Sequence, residues 1–106
     1  MSGDFTVRYT AIARDDLDRL FEHLLGRAET VDDFDAAQLA VETIRAEVEG
    51  RLSRTPFIYR KVGQSPFLRE LITPFRGLGY VALYEIEGAS IVNIVAVRHQ
   101  LEADYH

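Results

Sequence analysis

An apolar run late in the chain, IVNIVAV over residues 91–97, restricts the fold more than any other segment. Isoleucine and valine fall on both faces of this run when it is extended, and that pattern predicts a strand buried in the middle of a sheet. Polar and aromatic residues follow at once in the tail 98–105, RHQLEADY. Because the end of a buried strand is a rigid support for polar groups, this tail is a candidate functional region.

Two helices are predicted before the main strands. Residues 5–10 alternate apolar and polar side chains, which predicts a first strand. A first helix follows, with Asp15 or Asp16 in its first turn and Gly26 as its stop. Thr30 is placed to cap a second helix, with Asp33 in the reciprocal role. Its predicted buried stripe comprises Phe34, Ala37, Val41, Ile44, Val48 and Leu52.

The second half of the chain predicts a meander of strands. Pro56 lies at or just beyond the end of the second helix, and residues 57–65 form a connection that can include a short strand. Strands are expected over residues 67–73, 80–87 and 91–97, with turns at 74–79 and at Gly88 and Ala89. The predicted order is therefore β-α-α-β-β-β, an α+β fold with a two-helix hairpin packed on one face of a small sheet.

Size and composition define the class of protein. A length of 106 residues predicts one domain spanning 1–106. The chain has no cysteine, which fits a reducing compartment, and no apolar run long enough to cross a bilayer. We therefore expect a cytoplasmic protein. The net charge is −5, but residues 1–50 hold five arginines against twelve acids, whereas residues 51–106 hold seven lysines and arginines against five. The strand-rich half can thus present a mildly positive face to an acidic partner, or the helices simply display solvated carboxylates.

Four segments together resemble one known family. They are YTAIARDDLDRL at 9–20, RTPFIYRKV at 54–62, LRELITPFRGLGYVALYEI at 68–86 and VRHQLEADY at 97–105. In order and spacing they resemble the ParE/RelE toxin superfamily of type II toxin–antitoxin systems, in its ParE branch of plasmid-stabilisation toxins. The resemblance implies a small curled antiparallel sheet (RelE/ParE-like), with the first strand antiparallel to the hairpin-linked strands.

The resemblance also implies a function and partners. A ParE-like toxin is expected to inhibit DNA gyrase and so DNA replication, by binding and not by catalysis, with growth arrest as the result. A cognate ParD-like antitoxin is expected to neutralise it in a hetero-oligomer. No cofactor, membrane contact or sequence-specific nucleic-acid binding is expected. The residues expected to bind antitoxin or target are Arg60, Lys61, Arg69, Arg76, Arg98, His99 and Tyr105.

Two alternatives stay open: a degenerate, non-toxic relative that only binds an antitoxin and regulates its operon, and an enzyme. RelE-type relatives cut messenger RNA on the ribosome, and such an endoribonuclease would use Arg69 and Arg98 on phosphate and His99 or Tyr105 for proton transfer. The chain contains a single lysine and a net acidic surface, and both disfavour a crowded positive groove. Arg69 also has a structural interpretation, as the partner of Glu85 or Asp104. His99 could equally be a hydrogen-bonded structural residue.

Other site chemistry finds no support in the sequence. The three histidines His23, His99 and His106 lack the spacing of metal ligands. The acids Asp15, Asp16 and Asp18 are interpreted as a solvated first helical turn. Apolar residues at Val31, Leu39, Leu24 and Leu25 exceed what one sheet face requires. They serve either as additional core or as a surface on which an antitoxin segment docks.

Overall fold

The computed structural model describes residues 4–75 and 78–99, apart from the side chain of Leu78. The elements are β1 (Thr6–Tyr9), α1 (Ala11–Gly26), α2 (Val31–Leu52), β2 (Arg60–Lys61), β3 (Leu68–Phe75), β4 (Leu78–Glu87) and β5 (Ile91–His99). This order confirms the predicted α+β fold, and β2 is the short strand allowed for in the connection. Strands β3, β4 and β5 each extend two residues beyond one predicted bound, and β3 begins one residue later than predicted.

The five strands form one sheet in the order β1-β5-β4-β3-β2. The pairs β2 with β3, β3 with β4, and β4 with β5 are antiparallel, as a meander requires. β5 lies between β4 and β1, and its residues Val92 and Ile94 are fully buried. The prediction of a strand in the interior of the sheet is therefore confirmed.

The first strand runs in the direction opposite to the one expected. β1 pairs parallel with β5, with Thr6 opposite Ile91 and Tyr9 opposite Ile94. The expectation of an antiparallel β1 was wrong, and the sheet is mixed. Adjacent parallel strands require a long connection between them, which the helical hairpin and the meander supply. The alternation of side chains within β1 carries no information about the direction of so distant a partner.

A β-bulge in the last hairpin sets which side chains of β5 face the helices. Tyr84 is opposite Ile94, whereas Leu83 is opposite Ala96, so Val95 has no counterpart on β4. The extra residue shifts the alternation of faces by one. Ile94 and Val97 consequently both belong to the core under the helices.

Helix α1 begins earlier than the sequence suggested. The N-cap is Thr10, whose Oγ1 accepts a hydrogen bond from the backbone N–H of Ala13 at 3.1 Å. The same hydroxyl donates to the carbonyl of Ile94 at 2.9 Å, so it also ties the helix to β5. The prediction of Asp15 or Asp16 in the first turn was wrong, because the helix starts at Ala11 and its first turn holds no acid. Its end at Gly26 is confirmed.

Replacing Thr10 with alanine should lower the free energy of unfolding by about 1–2 kcal/mol, because both the helix cap and the link to β5 are lost. Thr10→Ser retains the hydroxyl and should stay within about 0.5 kcal/mol of the parent. Urea unfolding followed by circular dichroism measures both variants. Equal stability of the alanine and serine variants would contradict the assigned cap.

Helix α2 has the predicted cap. Thr30 accepts from the N–H of Asp33 at 3.1 Å, and the Asp33 carboxylate accepts from the N–H of Thr30 at 3.2 Å and of Glu29 at 2.9 Å. These hydrogen bonds, that from Glu29 foremost, lower the pKa of Asp33. The buried stripe comprises Ala37, Ala40, Ile44, Val48 and Leu52. Phe34 was wrongly included, since it lies on the exposed side of the first turn.

The core lies between the helical hairpin and one face of the sheet. Its largest fully buried side chains are Tyr80 and Tyr84 of β4 and Ile44 of α2. The hydroxyl of Tyr84 donates to the carbonyl of Pro56 at 2.6 Å, so the core also holds the segment after α2. Burial is the first cause of a raised pKa at both tyrosines. In the described part of the chain, neither helix is long and apolar enough to cross a membrane.

Candidate functional site

The end of β5 meets the first half of α1 at a buried carboxylate. Asp16 is only 5% exposed. Its Oδ2 accepts from the backbone N–H of Val97 at 2.9 Å and from Nη1 of Arg98 at 2.5 Å. Its Oδ1 lies 3.3 Å from Nη2 of Arg19, one turn further along α1. A carboxylate tolerates burial when both oxygens have cationic or N–H donors, and Asp16 meets that condition.

The position of Asp16 follows from the short first strand. β1 pairs with β5 only as far as Ile94, so the edge of β5 beyond that residue has no neighbouring strand. Thr10 takes up the carbonyl of Ile94, and Asp16 takes up the N–H of Val97. Thr10, the N-cap of α1, and Asp16 therefore satisfy backbone hydrogen-bonding groups of β5 near and beyond the end of its pairing with β1. The interpretation of Asp16 as part of a solvated turn was wrong, whereas Asp15 and Asp18 are exposed.

A half-open cleft of about 410 Å³ surrounds this ion pair. Its lining residues are Asp16, Arg19, Leu20, His23, Val97, Arg98 and His99. The imidazole of His99 meets the ring of Tyr80 edge-on, with centroids 5.4 Å apart. The guanidinium groups of Arg19 and Arg98 outweigh the single carboxylate of Asp16 in this lining. The cleft therefore carries a small excess of positive charge, although both guanidinium groups already face the Asp16 carboxylate.

Two of the predicted contact residues lie on the opposite edge of the sheet. Arg60 and Lys61 make up β2, the last strand in the sheet order, and both are exposed. Nε of Arg60 lies 3.6 Å from the carboxylate of Glu70 on β3. The structure thus separates these residues from Arg98 and His99, with β3 and β4 between β2 and β5. These four predicted residues, all within the described part of the chain, therefore lie at two separate places on the sheet.

Arg69 is a buried residue whose side chain binds the backbone of a loop. It is 8% exposed, and its guanidinium donates to the carbonyls of Pro66 at 2.8 Å, Phe57 at 2.7 Å and Tyr59 at 2.8 Å. These contacts fit a structural role for Arg69, but the pairing expected with Glu85 is wrong. Glu85 is opposite Leu68 in the ladder and Arg69 is opposite Tyr84, so the two side chains project from different faces of the sheet.

Several predicted residues lie outside the described residues. They are Arg76, Tyr105 and His106, together with Asp104, the other partner expected for Arg69. Within 4–75 and 78–99, no group of three or more histidine, aspartate or glutamate side chains is arranged to hold a metal ion.

Sequence reasoning missed two features that bear on function. The first is Asp16, although it lies on the helical stripe formed by Ala13, Leu17 and Leu20, and an acid within an apolar stripe is a signal of a buried partner. The second is an exposed apolar group in the segment after α2. Phe57 and its neighbours were read there only as a connection, since exposure of an apolar side chain has no local signature.

Known proteins share this fold and sequence pattern. The family described as "ParE toxin of type II toxin-antitoxin system, parDE" matches residues 7–103. The chromosomal ParDE toxin–antitoxin system from P. aeruginosa superposes with a TM-score of 0.70 at 19% identity, covering 92% of this chain and 98% of that one. The RelBE2 toxin–antitoxin complex from Mycobacterium tuberculosis gives 0.62 at 22% identity, covering 94% and 95%. No curated protein sequence matches significantly.

These comparisons and the observed topology define the class of protein. At such low identities the two solved structures establish a shared fold, which is the ParE/RelE-like arrangement of two helices and one mixed sheet. The match over residues 7–103 then shows that the chain belongs to the ParE toxin family of type II toxin–antitoxin systems.

Proposed function

We propose that this toxin inhibits DNA gyrase by binding to it, that replication and growth stop as a result, and that a ParD-like antitoxin neutralises it. Membership of the ParE family is the observation that carries the proposal. The antitoxin partner is further supported by the ParDE and RelBE2 systems, since the solved relatives are themselves toxin–antitoxin systems.

The engagement of the basic residues favours binding over RNA cleavage. A ribonuclease requires cations that can face the phosphate in its transition state. Arg69 is occupied by three carbonyls, Arg98 by Asp16, and Arg60 lies beside Glu70. Four of the predicted contact residues in the described part of the chain are lysine or arginine. Three of them already face a hydrogen-bond acceptor or a carboxylate, and the fourth is Lys61.

An apolar surface on α2 supports the antitoxin partner. Val31 is 74% exposed, and Phe34 and Leu39 are about half exposed. The prediction that Val31 and Leu39 exceed the needs of the core fits this exposure, whereas Leu24 and Leu25 are half-buried. Exposed apolar residues on a helix suit an amphipathic segment that folds as it binds. We assign this surface, Val31, Phe34 and Leu39, to the antitoxin.

The test is induction of the toxin without antitoxin, with two assays run in parallel. We expect loss of negative supercoiling in a reporter plasmid, or trapped cleaved DNA, while ribosome-bound messenger RNA stays intact. Purified toxin should likewise inhibit supercoiling by purified gyrase. Cut messages with normal supercoiling would contradict the proposal and would make the cleft at Arg98 and His99 a nuclease site.

Growth arrest should persist when the candidate proton-transfer groups are removed. We expect the double variant His99→Gln with Tyr105→Phe still to arrest growth, at a toxin level within about tenfold of that of the parent, because a binding inhibitor transfers no proton and loses at most two contact residues. A nuclease that used these residues would lose about a hundredfold or more. Toxin level is measured by immunoblot, and circular dichroism checks the fold. Abolished arrest in a folded double variant would contradict inhibition by binding alone.

A further inference from the structure

The segment between α2 and β3 exposes a group of large apolar side chains. Phe57 is 47% exposed, Ile58 is 70% exposed and Phe67 is 48% exposed. The ring of Phe57 contacts that of Phe67 edge-on, with centroids 6.5 Å apart. Arg54 and Lys61 are exposed in the same segment. We call these five residues the connector patch.

Buried side chains fix the backbone of the connector patch. The three hydrogen bonds of Arg69 fix the carbonyls of Phe57, Tyr59 and Pro66, and its guanidinium lies 5.6 Å from the centroid of the Phe57 ring. Tyr84 fixes the carbonyl of Pro56 in the same way. A loop held in one conformation loses little conformational entropy when it binds a partner. Its exposed apolar residues are therefore preorganised for contact.

The segment that carries the connector patch is one-sided in charge along the sequence. Residues 50–69 contain five cations, Arg51, Arg54, Arg60, Lys61 and Arg69, and no aspartate or glutamate, within a chain whose net charge is −5. Apolar anchors beside exposed cations form the pattern of a protein interface with an apolar centre and a polar rim. The partner surface that complements it is apolar and bordered by carboxylates.

We propose that the connector patch is the surface through which the toxin docks on an acidic, apolar-centred surface of its target protein. The proposal rests on the proposed function, under which that target is gyrase. The antitoxin has a separate surface, Val31, Phe34 and Leu39 on α2, so one chain can present distinct faces to the two partners.

A protein fits the connector patch better than a nucleic acid does. Aromatic residues that bind nucleic acids offer a free ring face on which a base stacks. Here the ring of Phe57 lies beside the Arg69 guanidinium and in T-shaped contact with Phe5 and Phe67, with centroids 6.2 Å and 6.5 Å away. Ile58, the most exposed member, has no ring, and its side chain suits insertion into an apolar pocket.

Two matched isoleucine substitutions test the proposal. Ile58→Glu places a like charge against the acidic partner and removes an apolar anchor. The control is Ile12→Glu, which makes the same change at the 59% exposed second residue of α1, where an acid suits the helix N-terminus. Each variant is induced without antitoxin, and the toxin level giving half-maximal growth arrest is measured by immunoblot. We expect Ile58→Glu to raise that level about tenfold or more, and Ile12→Glu to match the parent.

A third variant, Ile58→Lys, tests the sign of the partner's charge. It removes the same anchor but keeps the attraction to carboxylates, so its loss should be smaller than that of Ile58→Glu. Ile58→Glu as potent as the parent would overturn the proposal. Ile58→Lys more potent than the parent would also overturn it, because the apolar side chain of Ile58 would then contribute nothing to docking. Urea midpoints equal to that of the parent exclude unfolding as the cause.

Supercoiling of a reporter plasmid, followed in the same cultures, separates this proposal from the proposed function. If the parent arrests growth without changing supercoiling and Ile58→Glu still loses arrest, gyrase is wrong as the target but the docking surface is supported. If the parent and Ile58→Glu reduce supercoiling and growth equally, gyrase is supported as the target. The connector patch is then overturned as the docking surface. A parent chain that arrests no growth would overturn both.

Discussion

Replacing Asp16 with asparagine should lower the free energy of unfolding by about 3 kcal/mol, the usual loss when one partner of a buried ion pair is removed. The amide can still accept from the N–H of Val97, but it leaves the guanidinium of Arg98 without its counter-charge. Urea unfolding at neutral pH measures the change. Asp18→Asn is the matched control, because Asp18 is an exposed acid on the same helix, and it should stay within about 0.5 kcal/mol of the parent.

A double-mutant cycle separates the ion pair from the helix itself. Arg98→Gln alone should also destabilise, because the Asp16 carboxylate stays buried after losing its shortest contact. Once either charge is gone, removal of the other should cost less, so the double variant should lose less than the sum of the two single variants. Strict additivity would mean that the two side chains act independently and would contradict the pairing.

The parts of the fold that the sequence predicted are those set by near neighbours. The Thr30 and Asp33 cap involves residues three apart, and the stripe through Ala37, Ile44 and Val48 reflects helical periodicity. The meander follows from alternating strands joined by short turns, such as the one at Gly88, whose φ of 62° suits glycine. Each of these features depends on interactions that a short window of sequence contains.

The features that were missed depend on contacts between distant residues. The direction of β1 is fixed by its pairing with β5, and the start of α1 by a threonine that reaches Ile94. The bulge at Val95 exists only in the register between β4 and β5. It also brings Val97 to the helix side of the sheet, which simple alternation from Val92 and Ile94 would not predict. No local pattern distinguishes these arrangements from their alternatives.

The difference between local patterns and long-range contacts also explains which residues of the candidate site were noticed in the sequence. Arg98 and His99 were identified because polar residues at the end of a buried strand are conspicuous in the sequence. Their neighbours on α1, Asp16 and His23, were not, because they come together with β5 only in the folded chain. A structural role for Arg69 was only one of two interpretations of the sequence, because its partners are backbone carbonyls and these leave no trace in the sequence.

Replacing Arg69 with methionine should destabilise the protein by about 3 kcal/mol or more, because three loop carbonyls lose their charged donor at once. Arg69→Lys should recover only part of this loss, since one ammonium group cannot reproduce the fixed fork of a guanidinium. Arg60→Met is the matched control. Arg60 is a 79% exposed arginine on the adjacent strand, and its pairing with Glu70 should be worth less than about 1 kcal/mol. Urea unfolding of the three variants provides the comparison.

The role of Arg69 in holding the connector patch predicts a local effect as well as a global one. In Arg69→Met the segment around Phe57 and Tyr59 should open more readily, so chymotrypsin under native conditions should cut there first and faster than in the parent. Asp16→Asn lowers the total stability by a similar amount but leaves the hydrogen bonds of Arg69 in place. If Asp16→Asn accelerates cleavage in this segment as much as Arg69→Met does, the arginine stabilises the whole fold without specifically fixing the loop, and the preorganisation of the connector patch would lose its basis.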